Sequence, residues 1–505
     1  MSVDVDLAFS RLVKTAATTR PEAGDLHRFI QAQVLLTGEP EVLLTRNGAA
    51  SFQHALRLLV RTTLNLTVFL PAEAAELAAT STALARHIEF GSTVRFVTTP
   101  PNPQAFAAVL NVGSSARPDL PWTSVNSNGW LARVTSGPTP LDNTCDQWNP
   151  VGALAAASLG AAEVFKRLLP VKPDRAAMFD NLTFSLDSLE TGGNDPGPPL
   201  PSELHVSLLL TGAGAIGNGI AALLADLPLH GRIDIVDRQT YGDENLGTCL
   251  LLGPDGLGKA KAGELAGFLR SRLPSSPVYA HEARLEDLSF GSQDGLPIHR
   301  VVLNGLDNVE ARHSVQQQLW PDVVIDGAIG PLMCQVSCHP ADEDVACLLC
   351  LFELPVRDAA TQQVRATGLA PLRLAQPDDL VTDADVHAAP EHQRAWLAGQ
   401  VGRPICSVVA EGVMRTLTDD QQREGFAPSV PFVACLSACM VVAELVRHVE
   451  GRPSPLAPRY QFDVLRGPAF GVTVDLARGQ RCTCTERRAT IQQFRALVAR
   501  TLVVT

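Results

Sequence analysis

Lysine is scarce in this 505-residue chain. Lys14, Lys166, Lys172, Lys259 and Lys261 are the whole set, against 36 arginines among 41 basic residues. Basic charge is also outweighed, 41 residues to 53 acidic ones, for a formal net charge of −12. A nucleic-acid backbone needs concentrated Lys and Arg, so it is excluded as the main partner. An export signal is missing too: residues 1–18 lack a basic start followed by an apolar stretch. No membrane-length run is present. The longest, Val430 to Val446, carries Glu444 and is shorter than the ~20 residues of a typical span, so it reads as a buried helix. A cytoplasmic chain without a membrane partner is expected. The cysteines number 11, which is odd. In a reducing compartment they read as metal ligands, core residues or a nucleophile rather than disulfides.

What is present is apolar material for sizeable cores: 46% of residues are hydrophobic and mean hydropathy is +0.09. The length calls for two or three domains. The stretch TGGNDPGPPLP at 191–201 has the Gly, Pro, Asn and Asp of a linker. It separates a first block, 1–190, from a second, 202–505.

The second block alternates strand and helix. Strands are expected at His205–Leu210, Arg232–Val236, Arg300–Leu303 and Asp322–Ile325, with helices at Ala215–Leu227, Gly258–Leu273 and Val309–Leu319. That order predicts an α/β fold with a doubly wound, mostly parallel sheet. In the first block, Glu41–Thr45, Leu64–Leu70, Val94–Thr98 and Ala108–Gly113 read as strands, with a helix at Ser51–Arg61. Each block closes on a Pro-opened, small-residue helix, Asn149–Leu169 and Pro428–Glu450. Two blocks of one plan suggest a duplicated fold in which only the second keeps a nucleotide loop.

That loop is Gly212-x-Gly214-x-x-Gly217, between a strand and a helix. Its glycines allow a tight turn and close approach of backbone N–H groups to phosphate at a helix N-terminus. Asp237 ends the next strand and can accept hydrogen bonds from a ribose. Glu244-Asn245-Leu246, Gly256-x-x-Lys259 and Leu306-Asp307-Asn308 with Arg312 follow in order.

With these motifs, residues 203–484 resemble the ThiF/MoeB-type adenylating family, which includes activating enzymes for ubiquitin and ubiquitin-like proteins. The resemblance implies a Rossmann-like fold with tandem inactive (1–190) and active (202–505) adenylation domains. It implies that Gly212, Gly214 and Gly217 cradle ATP, that Asp237 holds the ribose, that Asn245 and Lys259 face the phosphates, and that Asp307 supports Mg²⁺. Lys261 is the reserve for Lys259. The family's arginine two positions after Asn-Leu is Thr248 here. Arg11, Arg20 and Arg46 of the first block are candidate lenders of a replacement.

Cys347-x-x-Cys350 and Cys482-x-Cys484 can complete a tetrahedral Cys₄ site, which structural Zn²⁺ prefers; relatives often place paired cysteines in these two regions. Cys406, in Gly402-Arg-Pro-Ile-Cys-Ser407, follows a stretch of little regular structure, Arg357 to Gln400. The resemblance makes it the thioester nucleophile of an inserted region at about 357–427, with Arg403 and a helix starting at Ser407 available to favour its thiolate. Cys249 is the rival. Cys334, Cys338, Cys435 and Cys439 read as core, and Cys145 has no assigned role.

The resemblance implies an ATP-dependent enzyme that adenylates the C-terminal glycine of a ubiquitin-like protein, captures it as a thioester and passes it to a conjugating-type enzyme. The setting implied is a bacterial ubiquitination-like operon of the antiphage, Bil type. A homodimer is allowed. The alternatives are a sulfur-carrier or peptide/tRNA adenylating enzyme, a NAD(P)-dependent oxidoreductase, and a scaffold with a degenerate nucleotide site.

Overall fold

The structure, a computed structural model, describes residues 3–19, 27–91, 93–169, 177–290, 296–307, 309–352, 363–364, 366–409, 411–412, 429–456 and 458–502. Two compact units emerge: Met1–Phe352 with Pro428–Thr505, and Glu353–Ala427.

The larger unit contains two main sheets. The first has seven strands: β1 (Gln33–Gly38), β2 (Asn65–Phe69), β3 (Thr93–Val97), β4 (Ala108–Val112), β5 (Trp122–Asn128), β6 (Leu131–Thr135) and β7 (Leu182–Ser185), ordered β3-β2-β1-β4-β5-β6-β7. The second has eight: β9 (Leu208–Thr211), β11 (Ile233–Val236), β12 (Val278–His281), β13 (Val301–Asn304), β14 (Val323–Ile329), β15 (Met333–Pro340), β16 (Arg459–Asp463) and β17 (Val472–Val474). Its order is β12-β11-β9-β13-β14-β15-β16-β17. In each sheet the first five strands are parallel in the chain order 3-2-1-4-5, and the rest are antiparallel. Two-residue strands β8 (Leu204–His205) and β10 (Leu229–His230) pair beside the second sheet. Strands buried on both faces, such as β4 (AVLNV) and β9 (LLLT), carry the continuous apolar runs that a covered parallel sheet requires.

Two helices fill the space between the sheets. Pro150–Leu168 starts with proline in its first turn, and the Asn149 side chain accepts the Val151 N–H at 2.9 Å. Pro431–Val449 also has proline in its first turn, but Val430 before it provides no side-chain cap. Small residues allow close contact: a Cβ at Gly160 would lie 2.7 Å from Leu110 and Val125 methyls, and one at Gly219 2.7 Å from Ala438 Cβ. The two helices meet where the Phe165 and Phe432 rings sit 5.5 Å apart. Pro431–Val449 is long and apolar enough to cross a membrane, but it is packed in the interior. The 191–201 stretch is fastened to the first sheet by Trp130, whose backbone and ring N–H groups donate to Pro196 and Pro198 carbonyls.

One strand expectation is corrected. Glu41–Thr45 is not a strand; a short helix, Pro40–Leu43, occupies it and the strand is β1, Gln33–Gly38. Pro40 presets the first helical turn, and an apolar triplet is too short for periodicity to separate helix from strand. The stretch from 357 to 400 is also more regular than expected. Helices Pro371–Leu374, Asp383–Ala388 and Glu391–Ala398 lie in it, around a small core of Leu369, Val381, Leu397 and Ile405.

Candidate functional site

The second sheet changes winding direction between β9 and β13. In open parallel sheets the crevice at such a point, at the carboxyl ends of the strands, is where ligands bind. Gly212 follows β9 there, Asp237 follows β11 and Asp307 follows β13. Gly212 has φ +88°, a conformation that favours glycine, and a Cβ on it would stand 3.0 Å from Gly305. A Cβ on Gly217 would lie 2.1 Å from the Gly212 carbonyl oxygen. These two glycines therefore close the turn. A Cβ on Gly214 would meet nothing within 4 Å, so its backbone faces open space at the start of the Ala215–Leu224 helix. The first N–H groups of a helix lack intrahelical partners and favour an anion. The loop thus fits a phosphate chain.

Asp237 steadies the loop with one oxygen, which accepts the Ala213 N–H at 2.8 Å; its other oxygen accepts the Gln239 N–H at 2.8 Å. Lys259 is tied to the same wall. Its carbonyl accepts the Tyr241 N–H at 3.0 Å, and the Tyr241 hydroxyl donates to the Ala213 carbonyl at 3.1 Å. The Lys259 ammonium is more than half exposed and lies 3.4 Å from Glu264. Lys261 is instead buried and donates to the Gln239 side chain at 2.9 Å. Asn245 is buried, and its side-chain oxygen accepts the Gly242 N–H at 3.0 Å. Asp307 is exposed; Asn308 lies outside the described residues.

Several residues that sequence reasoning missed, together with Arg312, hold this wall together. Asn218 is fully buried. Its amide nitrogen lies 3.0 Å from the Ala213 and Gly214 carbonyls and 2.9 Å from the Tyr241 hydroxyl, while its oxygen accepts the Leu251 N–H at 3.2 Å. Below the crevice, Thr211 donates to Asn304 (2.6 Å), Asn304 donates to Asp326 (2.5 Å), and Arg312 pairs with Asp326 at 3.0 Å. Burial pushes the Asp326 carboxyl up, against the opposing Arg312 and Asn304. An Asn directly after the third glycine and an Asp directly after the apolar run Val323–Ile325 were the available signals.

The equivalent crevice in the first sheet is filled from within. Glu39 follows β1. Its carboxylate accepts the Ser114 N–H at 2.8 Å, the Ser115 N–H at 3.0 Å and the Asn111 amide at 2.9 Å. Burial opposes its charge, yet these donors leave the Glu39 carboxyl below its ordinary value.

Of the candidate lenders of an arginine, Arg11 lies on the Val5–Thr19 helix. That helix packs against Asp243–Leu246, so closely that a Cβ on Gly247 would stand 2.1 Å from the Ala8 carbonyl oxygen. Arg46 instead stacks 4.0 Å over Trp148, and Arg20 lies outside the described residues.

The four paired cysteines come together. Cys347–Cys350 and Cys347–Cys482 sulfurs are 3.7 Å apart, Cys350–Cys484 sulfurs 3.6 Å, and all four lie within 4.8 Å of one another. A Zn–S bond of ~2.3 Å implies tetrahedral S···S edges of about 3.8 Å, so the cluster could hold zinc. The Gly479 N–H donates to Cys350 Sγ at 3.3 Å.

Cys406 belongs to the smaller unit and is exposed. It is the second residue of a helical segment, 405–409, which begins two residues before Ser407, and its N–H donates to the Pro377 carbonyl at 2.9 Å. Arg403 bonds Glu411 at 2.6 Å. Cys249 is fully buried, and burial pushes its thiol up. That environment suits a core residue and not a nucleophile. Cys145, Cys334, Cys338, Cys435 and Cys439 are buried as well.

The ThiF family model matches residues 203–484. An uncharacterized protein, y4jF, of Sinorhizobium fredii is 27% identical over 75% of this chain and 76% of its own length. NEDD8-activating enzyme E1 catalytic subunits of Dictyostelium discoideum and Caenorhabditis elegans are each 32% identical over 24% and 27% of this chain. The matches span 26% and 30% of those two proteins. Among solved structures, E. coli MccB aligns with a TM-score of 0.37 and 14% identity, over 55% of this chain and 65% of its own.

Proposed function

The chain belongs to the ThiF family of adenylating enzymes, and on that premise we propose that it activates a ubiquitin-like protein through its C-terminal glycine. The observation that carries this reading is the Gly212–Gly217 loop at the winding switch of the second sheet, with its open face at Gly214 and Asp237 beside it.

In the first step a carboxylate oxygen of the glycine attacks the α-phosphorus of ATP. The bond from that phosphorus to the bridging oxygen breaks, pyrophosphate leaves, and the carboxyl becomes an acyl-adenylate. The backbone N–H groups at Gly214 and the helix start hold the phosphates. Asp237 accepts from the ribose, and Asn245 and Lys259 face the departing charge. Mg²⁺, when bound, neutralises phosphate charge, and Asp307 is the residue to hold it. Arg11, on the helix that packs against Asp243–Leu246, is the candidate to lend the missing arginine.

In the second step the Cys406 thiolate attacks the acyl carbonyl. The carbon–oxygen bond to AMP breaks, AMP leaves and a thioester remains. A conjugating-type enzyme then takes the acyl group. Residues 1–190 act as an inactive adenylation-like domain joined through 191–201, and Cys347, Cys350, Cys482 and Cys484 hold a structural zinc. The matching strand order of the two sheets and the internal carboxylate of Glu39 support the inactive role. The setting that suits such an enzyme is a cytoplasmic, bacterial ubiquitination-like antiphage pathway.

The test is ATP–pyrophosphate exchange with a small protein ending in free glycine. Exchange that requires this protein, with a DTT-sensitive adduct absent in Cys406→Ala, supports both steps. Exchange driven by a short peptide, without an adduct, would replace the carrier protein by a peptide substrate.

A further inference from the structure

Away from the nucleotide crevice, a serine, a histidine and an aspartate meet in the second sheet. Ser207 directly precedes β9, Asp234 lies in β11, and His299 stands two residues before β13. β9 runs between β11 and β13, so the three residues come together at the amino ends of the parallel strands. The Gly212 loop is at the other end, beyond the four residues of β9. Ser207 is exposed, whereas His299 is 2% exposed and Asp234 is fully buried.

The Ser207 Oγ lies 3.0 Å from His299 Nδ1, and His299 Nε2 lies 2.8 Å from Asp234 Oδ2. Arg232 donates to both oxygens of Asp234, at 2.6 and 2.9 Å, and His281 Nε2 lies 2.6 Å from Oδ1. Burial opposes the charge of Asp234, yet the bonds from Arg232, His299 and His281 hold its carboxyl well below the usual carboxylate range. A carboxylate only accepts, so His299 Nε2 carries the proton. In the neutral ring Nδ1 is then the acceptor, and the Ser207 hydroxyl donates to it. This is the hydrogen-bond order of a nucleophile, its base and the group that orients the base. The Ser207 N–H has no hydrogen-bond partner among the described residues. It leaves a donor beside the hydroxyl for a developing oxyanion.

We propose that Ser207, His299 and Asp234 form a second, esterase-type site that takes small activated acyl esters at the open surface. Ser207 Oγ attacks the ester carbonyl carbon, and its proton passes to His299 Nδ1. The carbon–oxygen bond to the leaving group breaks, and the leaving alkoxide takes that proton. Water then attacks the acyl-serine and gives a proton to His299. The acid is released as that proton returns to Ser207 Oγ. Asp234 is a positioning residue that fixes the tautomer of His299. The site does not depend on the nucleotide reading of the Gly212–Gly217 loop.

Labelling of the full chain with a serine-directed fluorophosphonate, mapped by peptide mass spectrometry, tests this. Ser207 is expected to react about 10²-fold or more faster in the folded chain than in the urea-denatured one, the lower range of general-base assistance. This comparison needs no variant to fold. His299→Gln and Asp234→Asn should each lose most of that factor, and Ser207→Ala, a change at an exposed position, should abolish the adduct. In a Cys406→Ala background, Ser207→Ala should also remove multiple-turnover hydrolysis of p-nitrophenyl acetate. Equal labelling of folded and denatured chains, an adduct at other residues only, or hydrolysis that survives Ser207→Ala would overturn the proposal and leave the cluster a tie between strand ends.

Discussion

The Glu39 carboxylate accepts the Ser114 backbone N–H at 2.8 Å, which puts an internal anion in the crevice of the first sheet. The second sheet keeps the corresponding crevice open at Gly214. One strand order therefore serves two ends: an open crevice in one sheet and a self-satisfied turn in the other.

Glu39→Gln should destabilise the chain by about 1–3 kcal/mol at neutral pH, since charge-assisted bonds to backbone N–H groups are lost. The folded protein holds this carboxyl below its ordinary value. Its contribution is thus present above the unfolded pKa of about 4.3 and disappears as pH falls through the folded value. Denaturant midpoints of the two proteins should differ at pH 7 and converge in acid; a constant gap would contradict the assignment.

Lys259→Ala and Asp307→Ala should each slow ATP–pyrophosphate exchange by about 10²–10³-fold, the usual scale for removing a group that stabilises developing charge. Both residues are exposed or half-exposed, so melting temperatures should barely move. Lys261→Ala should behave oppositely, costing stability through its buried bond to Gln239.

The Gly loop and the cysteine pairs were legible in the sequence because their defining spacings are local. Cys347 and Cys350 are three residues apart and Cys482 and Cys484 two. Glu39 was not legible, since its partner Ser114 lies 75 residues away in the chain. Nothing in the sequence near Pro40 marks Glu39 as an anion for a distant turn. Sheet order was legible only as a class. The alternation of strand and helix gives a parallel sheet, but the matching order of the two sheets required the strand pairings. Misreading 41–45 as a strand came from Val42, Leu43 and Leu44, three apolar residues that suit either element.

Metal analysis of the purified chain should give one zinc per molecule, lost in Cys350→Ser. Chelation should lower the melting temperature by at least about 5 °C, because zinc binding is coupled to folding at such sites. A metal-free chain that melts unchanged would contradict the zinc assignment.

Cys406→Ala should abolish a DTT-sensitive adduct with the carrier protein while leaving pyrophosphate exchange within about twofold, since adenylation precedes thioester formation. An adduct that survives would assign the nucleophile elsewhere, although Cys249 is fully buried.

The most direct measurement is a crystal structure of the full chain with Mg-ATP. The account predicts the phosphates over Gly214 and the ribose on Asp237. Nucleotide lodged elsewhere, or a crevice that stays closed to it at saturating concentration, would contradict it.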